Sequence, residues 1–141
     1  MKIAVGSDHG GFELKELIIS ALQEMGQEVD SVGCHSLESV DYPDFADKVC
    51  ALVQDGSCER GILVCGTGIG MSIAANRHKE IRAALCHEAF TARMSREHNN
   101  SNVLCLGGRV IGPEIALDIV RTWVETAFAG GRHQRRLDMF S

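Results

Sequence analysis

Five short strand-compatible runs, at residues 2–6, 28–32, 61–65, 82–86 and 102–106, alternate with longer stretches whose apolar residues recur at helical spacing. No other feature restricts the chain so much. A run of five residues is long enough for a strand and too short for a helix. Strands separated by helix-length segments cannot pair as hairpins. They are joined by crossovers, which yields a parallel sheet with helices on both faces. The expected fold is α/β, a Rossmann-like three-layer αβα sandwich around a five-stranded parallel sheet.

The intervening stretches support this layering. Leu14, Leu17, Ile18, Ala21, Leu22 and Met25 share one helical face, and Gly26 ends that helix. Pro43 suits the first turn of a second helix, striped by Phe45, Ala46, Val49, Cys50 and Val53. A third helix opens inside a glycine-rich loop, and a fourth covers about residues 88–98. A fifth begins at Pro113 and directs Ile115, Ile119, Val120 and Trp123 inward. The 141 residues, with two prolines and no low-complexity segment, are expected to form a single domain over 1–141.

A net charge of −5 disfavours a general nucleic-acid partner. No apolar run has the length of a membrane span and no signal-type segment opens the sequence, so the cytoplasm is the expected compartment. Six cysteines raise the question of a disulfide framework. Cys50, Cys86 and Cys105 lie in apolar runs, Cys34 and Cys58 lie in loop-like sequence, and none shows C-x-x-C spacing. Reduced thiols and no structural zinc are expected.

In parallel sheets ligands bind beyond the carboxyl ends of the strands. The strand ends here are Ser7-Asp8-His9-Gly10-Gly11, Cys65-Gly66-Thr67-Gly68-Ile69-Gly70, His87-Glu88 and Gly107-Gly108-Arg109. In the second of these, a thiol stands where a strand stops and a glycine-rich turn opens a helix. Backbone N–H groups point out of such a turn. They favour negative charge, on the sulfur or on an oxygen of a bound ligand. The plainer reading is a cysteine packed as a small hydrophobe, and three alternate glycines directly after it argue for a site. Asp8 is either a helix cap or a partner in proton transfer. His98-Asn99-Asn100 closes the fourth helix. It is either a helix end with an asparagine in a left-handed turn, or a general acid/base near the carboxyl edge of the sheet. Arg132 and Arg136 lie one turn apart if the tail is helical, a spacing that grips a phosphate; a solvated basic tail is the alternative. The first loop lacks a full G-x-G-x-x-G, so a dinucleotide site is poorly supported. Together these groups suit proton abstraction beside the carbonyl of a phosphorylated sugar, through an enediolate. That chemistry requires no metal and no cofactor.

The sequence resembles the type B ribose-5-phosphate isomerases, a family shared with galactose-6-phosphate isomerase. The resemblance covers nearly the whole chain. It rests on residues 6–11, Asp41-Tyr42-Pro43, residues 65–70 with Ser72-Ile73-Ala74-Ala75-Asn76, residues 95–99, Gly107 to Gly112 and Gly130 to Arg136. It implies that Cys65 moves a proton between C1 and C2, that Thr67 assists it, and that amides of the Gly66, Gly68 and Gly70 loop hold the enediolate. It implies that His98, with Asp8, opens the furanose ring. Asn99 and Tyr42 would contact hydroxyls, and His9, Arg109, Arg132 and Arg136 the phosphate. In the family the C-terminal arginines come from a neighbouring subunit. The tail, about residues 130–141, is therefore expected to dock on another copy, giving a homodimer or a dimer of dimers with a shared active site. One branch of the family lacks the thiol and uses a glutamate at the position of Met71. The expected partner is a small-molecule sugar phosphate, with neither nucleic acid nor membrane. Ribose 5-phosphate is the expected substrate. Allose 6-phosphate and galactose 6-phosphate, a non-catalytic sugar-phosphate-binding regulator, and a thiol redox protein are the competing readings.

Overall fold

The computed structural model describes residues 1–140. Among them the sheet has five strands: β1 (Lys2–Ser7), β2 (Glu28–Val32), β3 (Arg60–Cys65), β4 (Ala83–Leu85) and β5 (Val103–Gly107). Every pairing is parallel, in the order β2-β1-β3-β5-β4. The helices are α1 (Phe12–Glu24), α2 (Tyr42–Gln54), α3 (Ile69–Ala75), α4 (Ala89–Glu97), α5 (Pro113–Glu125) and α6 (Arg132–Asp138), with a single 3-10 turn at His9–Gly11. This is the three-layer α/β fold that the alternating pattern predicts. β4 is the one strand markedly shorter than expected. The N–H of Arg82 is taken by the Asn102 side chain at 2.8 Å, so ladder pairing starts one residue later.

The strands are apolar on both sides because both sides are covered. Ile3, Val5, Ile62, Val64, Leu104 and Leu106 face one cluster, closed by Leu14, Ile18 and Leu22 of α1 and by Ala116, Ile119, Val120 and Trp123 of α5. Ala4, Leu63, Cys65, Val103 and Cys105 face the other, closed by Ala46, Val49 and Cys50 of α2 and by Met71 and Ala75 of α3. Two residues expected inside lie outside. Leu17 and Ile115 sit at the margins of their helical stripes and are exposed. All six cysteines are free and buried, including Cys34 and Cys58 in their loops.

Candidate active site

The strand order places a switch point between β1 and β3, from which the chain leaves toward opposite edges of the sheet. Such a point opens a crevice at the carboxyl ends of the strands. Here three loops meet and are stitched together by backbone bonds. Asp8 N–H donates to the Val64 carbonyl at 3.2 Å, Gly108 N–H to Cys65 at 2.8 Å, and Arg109 N–H to Gly66 at 2.9 Å.

Asp8 is buried, and its Oδ1 accepts from Gly10 N–H at 2.9 Å and Gly11 N–H at 3.2 Å. It therefore caps the 3-10 turn that leads into α1. Both bonds go to one carboxylate oxygen, which leaves Oδ2 outside the cap. The next residue, His9, accepts the Val40 N–H on Nδ1 at 3.2 Å. Cys65 ends β3, and its Sγ receives the Gly68 N–H at 3.1 Å. Thr67 Oγ1 receives the Ile69 N–H at 3.2 Å. Gly68 stands at φ +78°, and a Cβ there would lie 2.5 Å from Leu85 Cδ1 and 2.9 Å from the Leu106 carbonyl carbon. Only glycine lets the turn tuck against β4 and β5 while aiming its N–H at the sulfur. Tyr42, the first residue of α2, lays its ring against Gly70, where a Cβ would come within 2.7 Å of the ring and 3.0 Å of its hydroxyl oxygen. The Arg109 guanidinium lies over Gly66 and Gly10, at 3.4 and 3.6 Å from a Cβ built at each. Asp8, His9, Tyr42, Cys65, Gly66, Thr67, Gly68, Gly70 and Arg109 thus share one crevice.

The environment of Cys65 differs from that of the other thiols. Cys34, Cys50 and Cys86 donate their S–H to the carbonyls of Ser36, Ala75 and Ala84. Burial, with Asp47 nearby, pushes Cys50 up to about 12. Burial also raises Cys58, Cys86 and Cys105 above the ordinary thiol value. Cys65 instead accepts a hydrogen bond on sulfur, the polarity that negative charge requires.

His98, Asn99, Arg132 and Arg136 are not in that crevice. Of the two readings of His98, a helix end or an acid/base near the carboxyl edge, the structure supports the helix end and corrects the other. α4 runs back against the strand direction, so its end meets the beginning of the next strand. Asn102, four residues beyond His98, binds the Arg82 carbonyl through its N–H and receives the Gly61 N–H on its carbonyl, both at the amino edge of the sheet. The six residues of β3 separate the two edges by about 17 Å. At the amino edge α6 folds back on its own chain. Ala129 N–H donates to the Glu97 carbonyl at 3.1 Å, and the His133 ring stacks on His98 with centroids 4.3 Å apart. The tail is helical, as the arginine spacing needs, and Arg132 and Arg136 are exposed on α6. Asn100 takes the left-handed conformation expected of an asparagine there, at φ +47°.

Some supporting residues are not among the candidate site residues read from sequence. Arg82 Nε holds the Asn100 carbonyl at 3.0 Å, and Arg96 Nη1 holds Asn100 Oδ1 at 2.9 Å and the Ser101 carbonyl at 2.6 Å. Burial, with the charges of Arg60 and Arg82, lowers Arg96 to about 10. His133 also escaped notice, because stacking is visible only once α6 is docked. Of the strand-end candidates, Glu88 is a cap, accepting the Thr91 N–H at 3.0 Å.

The sequence model of the Ribose/Galactose Isomerase family matches residues 3–140. Ribose-5-phosphate isomerase B of Escherichia coli is 49% identical over 137 residues, which are 97% of this chain and 92% of that protein. The structure of Clostridium thermocellum ribose-5-phosphate isomerase B superposes with a TM-score of 0.97 at 55% identity, covering 99% of this chain and 94% of that one. That of the Thermotoga maritima ribose 5-phosphate isomerase gives 0.96 at 54%, covering 98% and 95%. With its parallel sheet, its glycine loop after β3 and this whole-length likeness, the chain belongs to the ribose/galactose isomerase family.

Proposed function

We propose that this chain is an aldose–ketose isomerase that interconverts ribose 5-phosphate and ribulose 5-phosphate through a cis-enediolate, with Cys65 as general base. One observation carries the reading: the Cys65 sulfur accepts a backbone N–H at the head of a helix-opening glycine turn. The same loop offers first-turn N–H groups that lack intrahelical partners. A proton acceptor and a set of oxyanion donors therefore stand side by side, as proton abstraction next to a carbonyl requires.

In the open-chain aldose, Cys65 as thiolate takes the proton from C2. The electrons of that C–H bond become the C1–C2 double bond, and those of the carbonyl move onto O1. The loop amides between Gly66 and Gly70, other than those of Gly68 and Ile69 that bond Cys65 and Thr67, stabilise that oxygen. The thiol then returns the proton to C1 while the O2 hydroxyl proton passes to O1, leaving the ketone at C2. Thr67 supports the loop, and Tyr42 faces the sugar hydroxyls. His9 and Arg109 bind the phosphate. Ring opening precedes this sequence and is assigned to His98, with Asp8 as its partner.

His98, Asn99, Arg132 and Arg136 reach the crevice only if a second copy supplies them. The active unit is therefore a homodimer whose two sites each draw on both chains. The exposed side chains fit this. Ile69 and Ile73 of α3 stand out beside the Cys65 loop, and Met139 and Phe140 stand out beyond the arginines of α6. Apolar groups at both half-sites suit a self-complementary two-fold interface.

Formation of ribulose 5-phosphate from ribose 5-phosphate by the purified protein tests the reading. Absence of turnover would leave a sugar-phosphate binder. A panel with allose 6-phosphate and galactose 6-phosphate tests the substrate, and ribose 5-phosphate is expected to be turned over best. Among the described residues no helix is long and apolar enough to cross a membrane.

A further inference from the structure

Lys15 lies on the buried stripe of α1 beside Leu14, Ile18 and Leu22, and it is 0% exposed. A lysine at such a position is costly unless its ammonium finds partners. Its Nζ donates to the Cys34 carbonyl at 2.7 Å, lies 3.5 Å from the Glu16 carboxylate, and sits 5.3 Å from the centre of the Phe12 ring. Glu16 is more than half exposed, so the Cys34 carbonyl is the partner that shares the interior with the ammonium.

Cys34 lies at the start of the segment that joins β2 to α2, just after Gly33. Its N–H donates to the Ser7 carbonyl at 3.1 Å and its thiol to the Ser36 carbonyl at 2.9 Å. One end of the segment is thus fixed at a single residue, with the Lys15 ammonium beneath it. Toward the other end, Val40 N–H donates to His9 Nδ1 at 3.2 Å. Between them Leu37 lines a cavity of about 270 Å³ together with His9, Gly10, Gly108 and Arg109. A nitrogen that accepts an N–H carries the lone pair, so the proton of the His9 ring resides on Nε2. His9 is then a donor of fixed direction beside the Arg109 guanidinium.

We propose that Lys15 is a positioning residue for the phosphate end of the site. By holding the Cys34 carbonyl it sets the 34–40 segment, whose Val40 N–H keeps His9 in the Nε2–H tautomer. The assignment rests on the phosphate role given above to His9 and Arg109. A merely structural lysine would change stability alone, whereas a positioning lysine changes phosphate affinity and the His9 tautomer.

The test uses the full chain with Lys15→Met, Lys15→Arg and Val40→Pro, the last deleting the donor without touching the buried charge. Imidazole ¹⁵N spectra, with His9 assigned by loss of its signals in His9→Gln, report the tautomer. Inhibition by inorganic phosphate and the KM and kcat for ribose 5-phosphate report the site. The parent is expected to show the Nε2–H form of His9. Lys15→Met and Val40→Pro mix the tautomers and raise both KM and the phosphate inhibition constant about tenfold, the scale of one charge-assisted hydrogen bond. Their kcat changes by less than about twofold, because the displaced donor acts on binding rather than on the reacting carbons. Lys15→Arg restores most of the loss. A folded Lys15→Met whose His9 tautomer and phosphate affinity match the parent overturns the proposal. If that variant does not fold, the same match in Val40→Pro overturns it. If the parent does not turn over ribose 5-phosphate, the functional reading falls, and the tautomer spectra still decide the role of Lys15.

Discussion

The two edges of the sheet present different kinds of groups. At the carboxyl edge, Asp8, His9, Cys65 and the glycine turn are held by backbone bonds between loops, and the donors are mostly main-chain N–H groups. At the amino edge, His98 and Asn99 follow α4 and Arg132 and Arg136 lie on α6, and guanidinium groups from Arg82 and Arg96 brace the segment just after Asn99. The first edge suits the stabilisation of charge as it develops on reacting atoms. The second offers imidazole and guanidinium side chains, which add to the Arg109 guanidinium that the first edge already holds over Gly66 and Gly10. One chain cannot lay both against one small molecule across the depth of its own sheet. The shared site proposed above therefore calls for a second copy of the chain.

The carboxyl edge is tested most decisively at Cys65. Cys65→Ala is expected to lower kcat for ribose 5-phosphate by about 10³-fold, within the range for loss of a general base, with little change in KM. Undiminished turnover would remove the carboxyl edge from the chemistry. The partition between edges is sharpened by mixing. Cys65→Ala and an Arg132→Ala/Arg136→Ala double variant, each nearly inactive, should regain about a quarter of parental activity when refolded together in equal amounts. Half of the resulting dimers are mixed, and each mixed dimer has one intact site of two. No recovery would mean that a single chain builds its own site. A smaller effect is expected from Arg136→Ala alone. KM should rise about tenfold for a phosphorylated sugar, on the scale of a lost charge-assisted hydrogen bond, and an unchanged KM would take that residue out of the site.

The smallest effect is a pH dependence confined to the amino edge. Burial, then the nearby charges of His98, Arg132 and Arg136, lowers His133 below the ordinary histidine value. The folded state therefore binds this proton less readily than the unfolded state, so acid favours unfolding. The contribution is fully present above the unfolded value and is lost as pH falls through the folded one. Hydrogen exchange of the α6 amides should speed up modestly between pH 7.5 and 5.5, relative to a His133→Gln variant. Equal slopes in the two proteins would show that the stack with His98 is insensitive to charge.

Much of this architecture was legible in the chain. The strand runs and helix stripes fell within one or two residues of the observed elements, since both faces of a parallel sheet must be apolar and each helix buries one stripe. The Cys65 loop was legible for a similar reason. Thiol, glycines and helix start are contiguous, so their proximity needs no tertiary information. Asp8 was half legible, because its capping role is local, and the bonds to Gly10 and Gly11 bear that reading out. His98 was misplaced because a helix residue's distance from a strand end depends on which way the helix runs past the sheet. Lys15 is not among the sequence candidates, although a charge on an otherwise apolar stripe is itself a signal.

The order of elements, the sides of helices that turn inward and the composition of the glycine turn follow from short-range rules of spacing and backbone sterics, and the chain alone determines them. The strand order, the meeting of the β1, β3 and β5 loops at one crevice and the remoteness of the tail arginines from it are decisions of the tertiary structure. They arise because residues far apart in sequence become neighbours only after five strands have chosen partners. In a parallel sheet that choice also sends every helix end to the edge opposite the strand end before it.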